Sequence, residues 1–143
     1  MKKTVIIFVC TGNTCRSPMA EAIFKAHLTE EEKAKTEVKS YGLAAFGGDS
    51  ASENAIEVMA ERNIDISAHR SLPLSRLAAE NSDIIVTMTD SHTDAILSAG
   101  VPGDKIITLN ISDPYGKDIE AYRNCADEIT AKLEVVYDYI RKR

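Results

Sequence analysis

Residues 4–18 read TVIIFVCTGNTCRSP, and they carry the strongest indication of the fold. Its first half, Thr4–Cys10, is almost wholly apolar and rich in β-branched residues, which is typical of a central strand buried on both faces. A short polar run follows, and Ser17 and Pro18 then predict the start of a helix, with Ser17 as N-cap and Pro18 at the first helical position. The stretch therefore predicts a buried strand, a tight loop and a helix.

The rest of the chain alternates in the same way between β-branched runs and helix-patterned segments. Further strands are predicted over 37–41, 83–88 and 105–109, and further helices over 51–63, 74–80, 91–99 and 119–142. Ser50 and Glu53 are expected to form a capping box, whereas the charged segment 29–36 is expected to be a helix end and turn. Parallel strands joined by right-handed crossovers form a doubly wound sheet. We therefore expect an α/β fold in which residues 1–143 form one three-layer domain, with a four-stranded parallel sheet and helices on both faces.

Length and composition exclude several classes of protein. The 143 residues suit one domain, and 17 Lys and Arg against 22 Asp and Glu give a net charge of −5, which argues against a nucleic-acid-binding surface. Three cysteines, an odd number, argue against a secreted disulfide scaffold. The apolar run 4–10 is followed by no signal-peptidase site, and no stretch approaches the ~18 apolar residues needed to span a membrane. We expect a cytoplasmic protein with reduced thiols and with neither nucleic acid nor membrane as a partner.

Loop 10–16 lies where doubly wound sheets bind ligands, at the carboxyl end of a strand and the N-terminus of a helix. Backbone N–H groups and the helix dipole attract an anion there. Gly12 is expected to provide the unusual backbone angles of a tight cradle, and Arg16 presents a planar fork to two phosphate oxygens. The same positive field favours the thiolate of Cys10, which would be a nucleophile aimed at phosphorus.

A second motif, Asp113-Pro114-Tyr115-Gly116, strengthens this interpretation. A bare Cys-x5-Arg spacing is a weak signal, and Asp-Pro-Tyr-Gly alone is usually just a turn. Here the turn follows the fourth predicted strand, so that it would overhang the first loop. A carboxylic acid at that place would protonate a leaving group and then activate water.

The stretch VCTGNTCRSPMAEAIF, residues 9–24, together with the distant DPYG, resembles the low-molecular-weight protein tyrosine phosphatases along the whole chain. The resemblance implies a flavodoxin-like fold and a two-step mechanism with neither metal nor cofactor. Cys10 would attack the phosphoryl group and form a phosphocysteine, while Asp113 would protonate the departing group and later activate water. Arg16 and the loop amides would stabilise the equatorial oxygens.

The resemblance also implies supporting roles around the loop. Ser17 matches a serine whose hydroxyl supports the thiolate, and Asn13 matches an asparagine that braces the loop. Ser40 and His69 match the buried partners of that asparagine, although an ordinary core or surface role for His69 stays open.

The remaining cysteines and histidines are interpreted separately. Cys15 resembles the family's second loop cysteine, which pairs reversibly with Cys10 and protects it from over-oxidation; the alternative is a small packing residue. Cys125 is interpreted as a core residue, and His27 and His92 as structural residues.

Two features bear on the substrate, and they disagree. Thr11, directly after the nucleophile, and the segment 86–92 (VTMTDSH) resemble the protein arginine phosphatase branch. Phe46 lies where tyrosine-specific members place an aromatic residue that packs against the substrate ring. The alternative is that Phe46 is an apolar residue that anchors its loop. We expect a phosphorylated protein as substrate, favour phosphoarginine over phosphotyrosine, and expect phosphate or sulfate to inhibit a monomeric enzyme. The expected substrate-binding residues are Thr11, Gly12, Asn13, Thr14, Cys15, Ser17, Phe46 and Tyr115.

Two rival functions are weighed. Arsenate reductases of this scaffold carry two further cysteines, usually close together in mid-chain, whereas residues 60–110 contain none. A non-catalytic phosphate-binding module or phosphocysteine carrier would need no Asp113. Both rivals are disfavoured.

Overall fold

The structure, a computed structural model, describes residues 2–142. Within them, four strands form one sheet: β1 (Thr4–Cys10), β2 (Thr36–Gly42), β3 (Ile84–Thr87) and β4 (Ile106–Thr108). Their order is β2-β1-β3-β4 and every neighbouring pair is parallel, which is the flavodoxin-like arrangement. The predicted parallel sheet, with 4–10 as a central strand, is confirmed.

Helices connect and cover the strands. They are α1 (Arg16–Ala26), α2 (Glu30–Lys35), α3 (Glu53–Glu61), α4 (Arg76–Asn81), α5 (Asp90–Ser98), α6 (Ile119–Lys132) and α7 (Glu134–Arg141). A short 3-10 helix, Gly103–Lys105, precedes β4. Between residues 2 and 142, no helix has both the length and the apolar character needed to cross a bilayer.

The core lies on both faces of the sheet because successive side chains of β1 point to opposite sides. Ile6 and Phe8 pack in the larger cluster with residues of α1, α3, α6 and α7. Ile7 and Val9 pack in a smaller cluster with residues of α4 and α5. Each of these fully buried side chains contributes about 1.5–3 kcal/mol of transfer free energy, so the apolar run 4–10 ties the three layers together.

The start of α1 differs from the prediction. The helix begins at Arg16, and its N-cap is Cys15, which makes no side-chain capping bond. Ser17 therefore lies inside the first turn and is not the N-cap. The Ser17 hydroxyl contacts the Cys10 sulfur and does not accept from a backbone N–H. The first N–H groups of α1 are therefore not capped by a protein side chain.

Three further boundaries also correct the sequence predictions. The hydroxyl that caps α3 belongs to Ser52, so the capping box of Ser50 and Glu53 is wrong. Segment 29–36 is not a turn, because Thr29 and Glu32 form a capping box that begins α2. The predicted helix 119–142 is two helices that meet at Leu133, which is fully buried. The spacing of apolar residues is the same before and after Leu133, so the sequence pattern does not indicate that the helix is interrupted there.

The end of β2 is packed against loop 10–16. A Cβ added to Gly42 would lie 2.6 Å from the Thr11 carbonyl oxygen and 3.0 Å from the Asn13 nitrogen. Only glycine allows this close approach. The carboxyl ends of β1 and β2 thus meet at the loop, and the segment after β4 reaches the same edge of the sheet.

Candidate active site

Loop 10–16 turns sharply through one left-handed residue, Asn13, whose φ is 58°. The prediction that Gly12 supplies the unusual angles is wrong, because Gly12 does not have a positive φ. A Cβ on Gly12 would meet only Thr14 Oγ1, at 3.6 Å. Asparagine is among the few residues that tolerate the left-handed conformation, and its side chain fixes the turn locally.

The backbone N–H groups of the loop are available to a ligand. Among the residues that the structure describes, those of residues 12–16 donate to no protein acceptor. They lie at the N-terminus of α1, where the helix dipole adds positive potential. This arrangement favours an anion held by several backbone donors at once.

The loop forms the floor of a cleft of about 490 Å³. Of the residues predicted to act in catalysis or substrate binding, the cleft is lined by Cys10, Thr11, Gly12, Thr14, Cys15, Arg16, Phe46, Asp113 and Tyr115. Phe46 is 97% exposed and Tyr115 is also exposed, so both stand at the rim. Asp49 lines the cleft as well and was not predicted.

Four other predicted residues lie behind the loop. The side chains of Asn13 and Ser17 are fully buried and do not line the cleft, so the structure does not place them where they would contact a substrate. Ser40, which is buried, and His69, which is half-buried, contact Asn13 on the side of the loop away from the cleft.

The Cys10 sulfur is buried and lies 3.0 Å from Ser17 Oγ. Ser17 Oγ accepts a hydrogen bond from Asn13 Nδ2 at 2.7 Å, and its own hydrogen can be directed to the sulfur or, over a longer 3.4 Å, to the Tyr41 carbonyl oxygen. A hydroxyl that donates to sulfur stabilises the negatively charged thiolate, because hydrogen bonds to ionised groups are stronger than neutral ones.

Arg16 joins the loop to the second motif. Its guanidinium is almost fully buried, and Nη1 donates to the Ile111 carbonyl oxygen at 3.0 Å. Nη2 lies 3.5 Å from Asp113 Oδ2. The Arg16 guanidinium is thus held on one side by the segment after β4, and its positive charge faces the cleft beside the Asp113 carboxyl group.

Asp113 is held at the rim by its own turn. Its Oδ1 accepts the Tyr115 N–H at 3.1 Å, and Gly116 takes a positive φ of 78° to complete the turn. The carboxyl side chain is 53% exposed, so it can exchange protons with water while it faces the cleft.

A chain of hydrogen bonds braces the loop from behind. Asn13 Nδ2 donates to Ser40 Oγ at 3.0 Å, and Asn13 Oδ1 accepts the Leu72 N–H at 3.0 Å. His69 Nε2 lies 2.8 Å from the Asn13 carbonyl oxygen. Ser40 Oγ in turn donates to Glu21 at 2.6 Å. The sequence analysis missed Glu21, although its position one helical turn after Ser17 places both on one face of α1.

Replacing Asn13 by alanine is expected to lower the free energy of unfolding by about 2–4 kcal/mol, because several buried partners lose their hydrogen bonds. Urea denaturation measures the change. Asn63→Ala is the matched control, since Asn63 is exposed and has the same left-handed backbone (φ 62°). Equal destabilisation by the two variants would show that only backbone strain, and not the buried network, is lost.

The other two thiols have different surroundings. Cys15 Sγ lies 3.3 Å from the Tyr122 hydroxyl, and burial, followed by the Cys15 contact, raises the pKa of Tyr122 to about 12. Burial raises the pKa of the Cys125 thiol to about 12, and this thiol donates to the Ser112 carbonyl oxygen at 3.8 Å. All three cysteines are free.

His92 is a third residue, after Asp49 and Glu21, that the sequence analysis did not place at the site. It was interpreted as structural, but its Nε2 lies 2.9 Å from Oγ1 of Thr11, the residue after Cys10. Burial and the nearby Arg16 lower the pKa of His92, while Asp113 partly opposes this. The signal that would have found His92 is its place in the first turn after a strand of the parallel sheet, at the edge where ligands bind.

Together these groups can perform phosphoryl transfer. Cys10 supplies a nucleophile, the loop amides and Arg16 a cradle for three oxygens, and Asp113 a proton donor at the rim. Across residues 2–142, no three His, Cys, Asp or Glu side chains are grouped so that they would hold a metal ion.

The known proteins similar to this chain include phosphatases and, at a comparable identity, an arsenate reductase. The model of the family "Low molecular weight phosphotyrosine protein phosphatase" matches residues 5–143. A protein-arginine-phosphatase of Bacillus subtilis is 37% identical, over 96% of this chain and 97% of its own. An arsenate reductase of Bacillus cereus is 36% identical over 92% of each chain. A YwlE arginine phosphatase mutant, solved with a phosphorylated active-site serine, superimposes with a TM-score of 0.88 at 36% identity, over 97% of both chains.

Proposed function

Because the chain belongs to the low-molecular-weight phosphotyrosine protein phosphatase family, we propose that Cys10, Arg16 and Asp113 are its catalytic residues. The protein is a phosphoprotein phosphatase, a hydrolase of this family. One observation carries the residue assignment: the three side chains line one cleft, and Arg16 and Asp113 lie 3.5 Å apart.

In the first step, the Cys10 thiolate attacks phosphorus on the side opposite the leaving group. The S–P bond forms as the bond from phosphorus to the substrate side chain breaks, and Asp113 gives its proton to the departing atom. The unpaired N–H groups of residues 12–16 and the Arg16 fork hold the equatorial oxygens. They are fixed before the reaction, so little reorganisation is needed as charge builds up.

In the second step, water attacks the phosphocysteine. The Asp113 carboxylate takes a proton from that water, the S–P bond breaks, and inorganic phosphate leaves. Ser17 donates its hydrogen to the departing Cys10 sulfur across the 3.0 Å contact. Stabilising the thiolate helps both steps, since sulfur is the nucleophile in one and the leaving group in the other.

The favoured substrate is protein phosphoarginine. Thr11 lines the cleft beside Cys10, and a second carboxylate, Asp49, lines it together with Asp113. Two carboxylates suit a guanidinium leaving group, which carries N–H donors that a phenol lacks. Phe46 and Tyr115 at the rim would stack on either a guanidinium or a phenyl ring, so they do not discriminate.

The test compares kcat/KM on two peptides of the same sequence that carry either phosphoarginine or phosphotyrosine. A higher value for phosphoarginine is expected. A higher value for phosphotyrosine would make the protein a phosphotyrosine-protein phosphatase, and no turnover of either would favour a non-catalytic phosphate-binding module.

Replacing Thr11 by isoleucine is expected to move the ratio of the two kcat/KM values towards phosphotyrosine by about tenfold or more, because an apolar contact replaces a polar one beside the scissile bond. The matched control is Thr36→Ile, at the amino end of β2, because the cleft lies at the opposite, carboxyl end of the parallel strands. An unchanged ratio in the Thr11 variant would remove Thr11 as a selector.

The cleft would also hold arsenate, which has the shape and charge of phosphate. Reducing As(V) to As(III) takes two electrons, which thiols in succession must supply. Within the loop the second thiol, Cys15, is buried against the Tyr122 hydroxyl. Outside the loop the chain offers only Cys125, whose thiol is buried against the Ser112 carbonyl. Arsenate reduction with a dithiol reductant is therefore expected to be absent, and measurable reduction would reinstate that function.

The proposal extends to the extent of the domain, the inhibiting anions, the cellular compartment and the oligomeric state. Residues 1–143 act as one phosphatase domain on phosphorylated proteins, and phosphate or sulfate competes for the cradle. The three free cysteines suit the reducing environment of the cytoplasm, and the working unit is a monomer.

A further inference from the structure

A buried histidine is connected to the residue that follows the nucleophile. His92 lies in the first turn of α5, after β3, and is 5% exposed. Its Nε2 lies 2.9 Å from Thr11 Oγ1, although the two residues are 81 positions apart in the chain. Neither phosphoryl transfer nor the bracing of the loop from behind uses this contact.

The histidine ring is held on its other side by the cap of its own helix. Thr89 Oγ1 lies 3.0 Å from His92 Nδ1 and also accepts the His92 backbone N–H at 3.4 Å. Thr89 Oγ1 also lies 3.0 Å from Ser91 Oγ, and with Ser91 as the donor of that bond the single hydrogen of Thr89 can be directed to Nδ1. In that tautomer the ring proton lies on Nε2, and His92 donates to Thr11 Oγ1.

The helix that carries His92 is itself fixed to the sheet. Thr93 Oγ1 lies 2.6 Å from Thr87 Oγ1 on β3 and 2.7 Å from Thr108 Oγ1 on β4. These bonds hold the first turn of α5 against the carboxyl ends of both strands. The position of His92 Nε2 is therefore set by the sheet, independently of loop 10–16.

We propose that His92 is a positioning residue for substrate selection, which holds Thr11 in one rotamer beside the nucleophile. Threonine has three staggered χ1 positions, and the hydrogen bond selects the one with Oγ1 towards His92. Because Cβ is chiral, this choice also fixes the direction of the methyl group. Thr11 then presents one fixed surface to the substrate side chain. The inference rests on the proposed function, in which Thr11 discriminates between phosphorylated side chains.

Two substitutions of the same residue provide the test. The amide of asparagine replaces Nδ1 and keeps the bond to Thr89, but it does not reach Thr11. The amide of glutamine extends to the place of Nε2 and can donate to Thr11. His92→Asn is therefore expected to lower the phosphoarginine to phosphotyrosine ratio of kcat/KM by about tenfold, whereas His92→Gln keeps it within about threefold. Inhibition by inorganic phosphate, which carries no side chain to be selected, is expected to change by less than about threefold in both variants.

A double-mutant cycle separates positioning from a general structural effect. Thr11→Val keeps the shape of the side chain but removes the oxygen that His92 holds. In this background, His92→Asn is expected to leave the ratio unchanged. The proposal is overturned if His92→Asn alone leaves the ratio unchanged, if it lowers the ratio equally in the Thr11→Val background, or if glutamine fails to restore it.

Failure of the proposed function gives a different result. A wild-type enzyme that prefers phosphotyrosine overturns the substrate assignment alone. The His92 inference is then decided by whether His92→Asn changes the ratio of kcat/KM for the two phosphopeptides with Thr11 present and not with valine in its place.

Discussion

Replacing Cys10 by serine is expected to reduce turnover by about 10⁴-fold or more on every phosphorylated substrate, because an un-ionised hydroxyl replaces the thiolate nucleophile. The fold and the anion cradle are expected to survive. The serine oxygen is smaller than sulfur and fits in its place without a clash, and the N–H donors of residues 12–16 and the Arg16 fork do not depend on the thiol.

Two measurements separate these effects. Steady-state hydrolysis of the phosphopeptides reports turnover, and thermal stabilisation by inorganic phosphate reports the cradle. Cys125→Ser is the matched control, since it changes a buried thiol outside the cleft and is expected to keep wild-type turnover. Appreciable hydrolysis by Cys10→Ser would end the phosphocysteine mechanism, and loss of phosphate binding would show that the thiol is part of the cradle.

Replacing Asp113 by asparagine is expected to slow hydrolysis of substrates with poor leaving groups by about 10²–10⁴-fold, because the amide has no proton to give. An activated aryl phosphate, whose leaving group departs as an anion, is expected to lose less than about tenfold. The asparagine oxygen can still accept the Tyr115 N–H that shapes the turn, so the loss is chemical rather than conformational.

Rates on a series of phosphate esters with graded leaving groups measure this dependence. The control is Asp104→Asn, an exposed carboxylate in the 3-10 helix at the opposite end of β4. Uniform slowing across the series would remove Asp113 as the acid and would point to the loss of its ion pair with Arg16.

Much of the fold could be predicted because its signals are local. Every position from Val5 to Cys10 is apolar, and a strand buried on both faces accommodates such a run at this length. The Asp113 turn was predicted because proline and glycine restrict φ within a few residues. Boundaries were predicted less well. A serine suits an N-cap equally at position 50 or 52, and only the packing of α3 selects Ser52.

The candidate site was predicted only in part, for a physical reason. Residues that line the cleft within loop 10–16 are close in sequence, so their spacing reveals them. Glu21, Asp49 and His92 reach the site through contacts with distant segments, and no spacing within a motif marks them. At Gly12 a local signal was misleading. Glycine was expected to adopt the left-handed backbone of the loop, but Asn13 adopts it instead.

A cysteine, an arginine and a helix N-terminus share one loop because a few covalent bonds keep these groups close in any fold that retains the strand and helix, and this much can be read from the chain alone. Which carboxylates face the cleft and which histidine contacts Thr11 depend on tertiary packing. These contacts join residues far apart in the chain, as Thr11 and His92 are at 81 positions. Their distances are set by the packing of helices against the sheet, to within the few tenths of an ångström on which hydrogen bonds depend.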